Sequence, residues 1–317
     1  MTEDDNPVED NPGAVLIADD PTGETAVRFV WVADLSSDDY ERYSKAVTAL
    51  ADIRSSNMFG YVRQAGLALM REYGEAMKAM YENRISHVQM DDIEEWCARL
   101  RTAILGLCSS ICQHQEQCLI EVKRRFGDGS LEQQEMKKVF NSLFDNCFGY
   151  RYLYKMRNAM VHYSMFAASI GAESHRHEDQ DIHWFDLKLN RSILLEQRSF
   201  LNARLTRELE ELADDPELIP MMNEAFLAMQ KANRRIVEIL HPNIAEICFT
   251  VVEFDNLFGN RDGVRAISRT RSRELRRPFN FGYHPVAGQS IMAARNFVRE
   301  AACAAGIETT TPAGAQE

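Results

Sequence analysis

No apolar run in the chain approaches the ~18 residues that a helix needs to cross a bilayer. The opening stretch MTEDDNPVEDNPG is acidic and lacks the apolar centre of a secretory leader. Together these absences predict a cytoplasmic protein with no membrane partner. The seven cysteines (97, 108, 112, 118, 147, 248, 303) are odd in number and follow no framework spacing. They read as reduced, buried thiols rather than disulfides. Positive charge is also short, with 36 Lys and Arg against 48 Asp and Glu and a net charge of -12. That balance argues against a nucleic-acid partner, although the distribution of charge matters more than the sum. There is no P-loop, GxGxxG, HExxH or nucleophile elbow, so enzyme classes built on those motifs are set aside. No internal repeat recurs at a fixed period, and neither a cofactor nor a metal is expected.

What is present is enough to build a sizeable core: 317 residues, 45% of them hydrophobic. Residues 1–13 read as a solvated acidic tail. The β-prone runs 14–18 and 26–33 flank a turn-rich DDPTGE and read as a hairpin. Ser36 and Ser37 start a helix that runs to about Asn83, with a bend near Ser55-Ser56 or Gly60. From Asp91 or Asp92, the positions Ile93, Trp96, Cys97, Leu100, Ile104, Leu107, Cys108, Ile111 and Cys112 form a stripe of 3.6-residue period. It continues to the GDG at 127–129. Ser130 and Gln133 are spaced as a capping box for the next helix. Residues 182–190 read as a strand that pairs with the N-terminal hairpin. Asn190 caps a helix to about Ala213, and further helices follow Pro216, Asn243 and Ser290. The fold class predicted is mainly α: an antiparallel helical bundle with a small β element and additional C-terminal helices. The expected division is a tail at 1–13, a helical domain at 14–257 (core bundle about 38–171, extension 190–257), and an Arg-rich segment at 258–317.

Within that bundle, residues 150–171 read as one helix, opened by Gly149 and closed by Gly171. Arg151, Lys155, Asn158 and His162 fall within roughly 60° of one another on its wheel. Tyr152, Met156, Ala159, Met160 and Phe166 take the other side. Arg157 lies about 140° around from His162. It can reach a shared ligand through its long side chain or across a contact between two copies.

The spelling RNAMVH, with Arg157, Asn158 and His162, sits in a long helix of an all-helical region. On these residues the chain resembles the HEPN superfamily, whose hallmark is Arg, often a polar residue next, and His shortly after. The resemblance covers roughly residues 38–171. It implies a HEPN-like bundle and, if the nuclease members are the guide, metal-independent endoribonuclease activity. Cleavage would proceed by attack of a ribose 2′-OH on its own phosphate, in a homodimer whose motif helices face each other. In that reading His162 carries the proton, Arg157 meets the phosphorane charge, and Asn158 orients the imidazole or bonds phosphate. The setting implied is a toxin or antiphage defence effector, with an antitoxin or sensor partner. Some members carry a Tyr two residues after His; here Ser164 holds that place and Tyr163 comes one residue early.

Charge is distributed unevenly. Residues 1–25 hold eight acids and no base, whereas 261–277 hold seven Arg against two acids. The expected RNA contacts are therefore Arg151, Lys155 and Tyr163 on the motif helix, with Arg269, Arg271 and Arg273 in the basic segment. Phe279, Phe281 and Tyr283 would stack nearby. A second reading pairs the basic segment with the acidic N-terminus or with acids between Glu208 and Asp215. His175, Arg176, His177, Glu178, Asp179 and His183 read as a polar loop rather than a metal site. Cys108, Cys112 and His114 read as core packing. The rival to cleavage is a non-catalytic interaction module that binds a nucleotide or a protein.

Overall fold

The computed structural model describes residues 11–23, 25–82, 84–85, 90–177, 180–196, 198, 201–271, 273–275 and 281–304. The tail expected at 1–13 lies outside them except for 11–13, which begin a strand. Phe279, part of the His-rich stretch around 175–183 and the last residues of the chain also fall outside what can be described. The chain divides into two compact units: the described residues up to 56 with those from 241 onward, and residues 57–240. A boundary expected at 257/258 thus falls inside the first unit, and a bundle start expected near 38 moves to 57.

The 57–240 unit is built on helices. They are α2 (Met58–Tyr81), α3 (Met90–Phe126), α4 (Leu131–Asn146), α5 (Phe148–His162), α6 (Arg191–Glu196), α7 (Ala203–Glu211) and α8 (Leu218–Leu240). The expected long first helix breaks at Ser56-Asn57. Asn57 Oδ1 accepts the backbone N–H of Phe59 at 3.0 Å and caps α2. The stripe predicted on α3 is buried from Cys97 through Val122. Ser130 Oγ accepts from Gln133 N at 3.2 Å, and Gln133 Oε1 turns back to accept from Gly129 N at 2.7 Å, the residue before the cap, rather than from Ser130 N. The core runs through α2, α3, α4, α5 and α8.

Three expectations fail here. Residues 168–171 are not helix, and residues 182–190 do not join the N-terminal hairpin. Instead β3 (Ala168–His177) and β4 (Gln180–Leu189) form their own antiparallel hairpin. Its register puts Ala168 opposite Leu189 and Ile170 opposite Leu187. Pairing with an adjacent strand outweighs the helix propensity of the segment. The expected single helix over 190–213 is split into α6 and α7.

The other unit contains β1 (Asn11–Asp19), β2 (Val27–Asp34), α1 (Ser37–Ser55), α9 (Ile244–Asn256), β5 (Val264–Thr270), β6 (Gly282–Pro285) and α10 (Gly288–Ala304). The N-terminal hairpin is extended by β5 and β6, giving the antiparallel order β2-β1-β5-β6. Ala14, Leu16 and Ile267 bury one face of the sheet with Tyr43, Phe254, Phe258 and Ile291. Although β2 and β6 are opposite edges, Phe29 meets Phe281 and Tyr283 edge-on at 5.2 and 5.1 Å, so the sheet curls strongly. Asp255 is completely buried and accepts from Arg265 Nε at 3.1 Å and Arg295 Nε at 2.5 Å. Among the described residues, no helix is long and apolar enough to cross a membrane.

A candidate ribonuclease site on the fifth helix

The first turn of α5 is heavily tied down. Cys147 Sγ accepts from Tyr150 N at 3.3 Å. The Glu224 carboxylate accepts from Phe148 N and Gly149 N at 3.1 and 3.0 Å. An anion at a helix N-terminus satisfies orphan donors and complements the dipole. Gly149 lets α5 come this close to α8, because a Cβ there would meet the carbonyl oxygen of Met221. Tyr150 donates to Gln115 Oε1 at 2.9 Å and Tyr152 to the Leu189 carbonyl at 3.1 Å.

Arg151 does not extend a basic row. It is 1% exposed. Its Nε and Nη2 donate to Glu208 of α7 at 3.0 and 2.6 Å, and Nη1 donates to the Phe144 carbonyl. A guanidinium committed in this way cannot meet a phosphate, so Arg151 is withdrawn as an RNA contact. The acids near Glu208 are engaged within their own unit. Arg151 and Arg204 hold Glu208, Arg198 holds Glu210, and Arg191 holds Asp215.

The other end of α5 is open. Met156, Ala159 and Met160 stay in the core, Lys155, Arg157 and Asn158 are half-buried, and His162 is exposed. Arg157 Nη1 donates to Asn158 Oδ1 at 3.1 Å. Lys155 Nζ lies 6.0 Å from the ring centres of Phe144 and Tyr154. Burial pushes the Cys112 thiol up to about 11, while the positive fields of Arg157 and Lys155 act against that rise. The helix stops at His162, where Tyr163 N and Ser164 N both donate to the Ala159 carbonyl at 3.0 and 2.9 Å. A short 3-10 turn, Met165–Ala167, follows.

Phe166, placed by the helical wheel on the buried side, is instead 64% exposed. Arg101 of α3 sits 4.5 Å over its ring and donates from Nε to the Ala168 carbonyl at 3.1 Å. Tyr163 is half-exposed and donates to Glu196 Oε2 at 2.8 Å. Sequence reasoning gave Phe166, Arg101 and Glu196 no role. Arg101 stands on α3, more than 60 positions before the turn it supports, so no local pattern joins them.

The basic segment belongs to the other unit. Arg269 is exposed and lies 4.5 Å over the Tyr40 ring. Arg273 pairs with Asp34 at 2.8 Å, and Arg271 is exposed. Arg265 goes to Asp255. Among the described residues, Asp34 and Asp255 are acids that engage this segment. Cys108, Cys112 and His114 are buried, as core packing requires. Among the described residues, no group of three or more His, Cys, Asp or Glu is placed to hold a metal ion.

One groove in the 57–240 unit, of about 490 Å³, runs between α4 and α8. Val139, Leu143, Cys147, Ala228 and Ala232 line it, with Lys138, Lys231 and Arg235 among its charged residues. It reaches the N-terminal cap of α5, about 20 Å along the helix from His162. No family model, no curated protein and no solved structure matches the chain.

Proposed function

We propose that the chain is a metal-independent endoribonuclease of HEPN type, acting as a homodimer. The observation that carries this reading is the exposure of His162 at the C-terminal end of α5, one turn beyond the bonded Arg157–Asn158 pair. An imidazole takes and returns a proton near neutral pH. It removes the proton of a ribose 2′-OH as that oxygen attacks the adjacent phosphorus. A second imidazole protonates the departing 5′-oxygen, leaving a 2′,3′-cyclic phosphate and a 5′-hydroxyl. Arg157 neutralises the charge of the five-coordinate phosphorane through two N–H groups. Because Arg157 and His162 lie about 140° apart around one helix, two helices from two copies complete the groove. By the same resemblance we place the enzyme in the cytoplasm as a toxin or antiphage effector, held by an antitoxin or sensor.

The test is incubation of the purified protein with total RNA in EDTA, beside His162→Ala and Arg157→Ala. Loss of cleavage in both variants is expected. Equal cleavage by all three proteins would reject the reading.

The groove between α4 and α8 favours a second reading, a non-catalytic module that takes a ligand or partner segment between those helices. Binding without any RNA cleavage would favour it.

A further inference from the structure

We propose that Phe166, backed by Arg101, is a stacking platform for a base of single-stranded RNA beside His162. Three large side chains close to His162 in the chain leave apolar surface open to water: Val161 (47% exposed), Tyr163 (49%) and Phe166 (64%). An exposed aromatic ring is ordinary when it is loose, but this one is held. Ser164 Oγ accepts from Phe166 N at 3.1 Å and fixes the turn. Ala167, the next residue, is buried in the core. The guanidinium of Arg101 covers one ring face, and its own bond to the Ala168 carbonyl holds it there.

The result is a preorganised ring with a cation behind it and its remaining surface turned to solvent. That arrangement suits a nucleobase, which stacks on aromatic faces whatever its hydrogen-bonding edge. The cation adds attraction for the attached phosphate. Phe166 is four positions beyond His162, so their Cα atoms lie within about 14 Å. The same strand can thus place a base on Phe166 and a nearby phosphate at the imidazole. The proposal rests on the cleavage reading only for which phosphate follows the stacked base. The platform itself is independent of catalysis.

The experiment uses the full chain carrying His162→Ala, so that RNA stays intact, and a fluorescein-labelled single-stranded RNA of twelve nucleotides. Affinity is measured by anisotropy at fixed salt. Adding Phe166→Ala is expected to weaken binding roughly ten-fold, in the range of one lost base stack. Phe166→Leu, which keeps apolar bulk without a π face, should weaken it similarly, and Phe166→Trp should restore it. Unchanged affinity in the Ala variant, or full affinity in the Leu variant, overturns the platform. A switch from dimer to monomer on Phe166→Ala, with affinity per protomer unchanged, would overturn it too, by assigning the ring to a contact between copies. Cleavage by His162→Ala at the wild-type rate would sink the catalytic reading alone. The binding series would then be run at the RNA's uncleavable 2′-deoxy counterpart, where the same three comparisons decide.

Discussion

The side chain of Arg151 is sealed inside the protein by a 2.6 Å ion pair with Glu208, a residue 57 positions further along the chain. The pair ties α5 to α7 where the sequence alone suggests a solvent-facing cation. Burial pushes the Glu208 carboxyl up, but Arg151 and Arg204 outweigh it and hold the carboxyl below its usual range. Its folded value lies below the unfolded one, so the stability it contributes is present above the ordinary carboxylate range and lost as pH falls.

Arg151→Ala should therefore destabilise the protein by about 3 kcal/mol, because it empties a fully buried position and leaves Glu208 with Arg204 alone. The double change Arg151→Met with Glu208→Leu should cost much less than the two single changes added together. Urea unfolding midpoints of the four proteins check this. Additive losses would show that the pair is not coupled.

His114 should make the protein acid-sensitive. The ring is fully buried between Phe59 and Phe140, with centroids 6.0 and 5.5 Å away, and neither nitrogen finds a hydrogen-bond partner. Burial lowers its pKa to about 4, and the nearby Asn233 amide opposes this only in part. The unfolded chain takes up this proton first, near 6.5. The stabilising effect of the neutral ring is thus complete above pH 6.5 and is lost as pH falls towards 4, about 3 kcal/mol in all. His114→Leu should flatten that part of the stability profile between pH 7 and 4.5, measured by urea unfolding. An unchanged slope would count against the buried neutral ring.

Asp255 anchors the other unit. Two arginines, from β5 and α10, converge on a carboxylate with no exposed surface. Asp255→Ala should cost about 3–5 kcal/mol and loosen the sheet first. Faster amide exchange in β5 than in α3 is the expected signature.

If Arg157 neutralises a phosphorane, charge alone will not replace it. Arg157→Lys should lose roughly a hundred-fold or more in kcat, because one ammonium cannot reproduce two parallel N–H bonds. Single-turnover cleavage of a labelled RNA reads this directly. Retention of most of the rate would assign Arg157 to binding rather than to the transition state.

Much of the fold was legible because its signals are short-range. The stripe on α3, the caps at Ser36 and Ser130, and the β-prone hairpin depend on neighbours within a few residues. The Arg157-Asn158-His162 spacing was visible for the same reason. Phe166 was misread because a helical wheel assumes that the helix continues. The chain instead leaves α5 at His162 so that β3 can pair with β4.

The sequence by itself determined the mainly helical class, which stretches alternate or turn, and the presence of a guanidinium and an imidazole five positions apart. Only the tertiary structure decided that Arg151 is buried while His162 is exposed, that β1 takes β5 as its neighbour, and that Arg101 stands behind Phe166. Periodicity records what each segment prefers. The side that is finally covered depends on surfaces contributed by segments tens to hundreds of residues away, and burying a charge is tolerable only where one of them supplies the counter-charge.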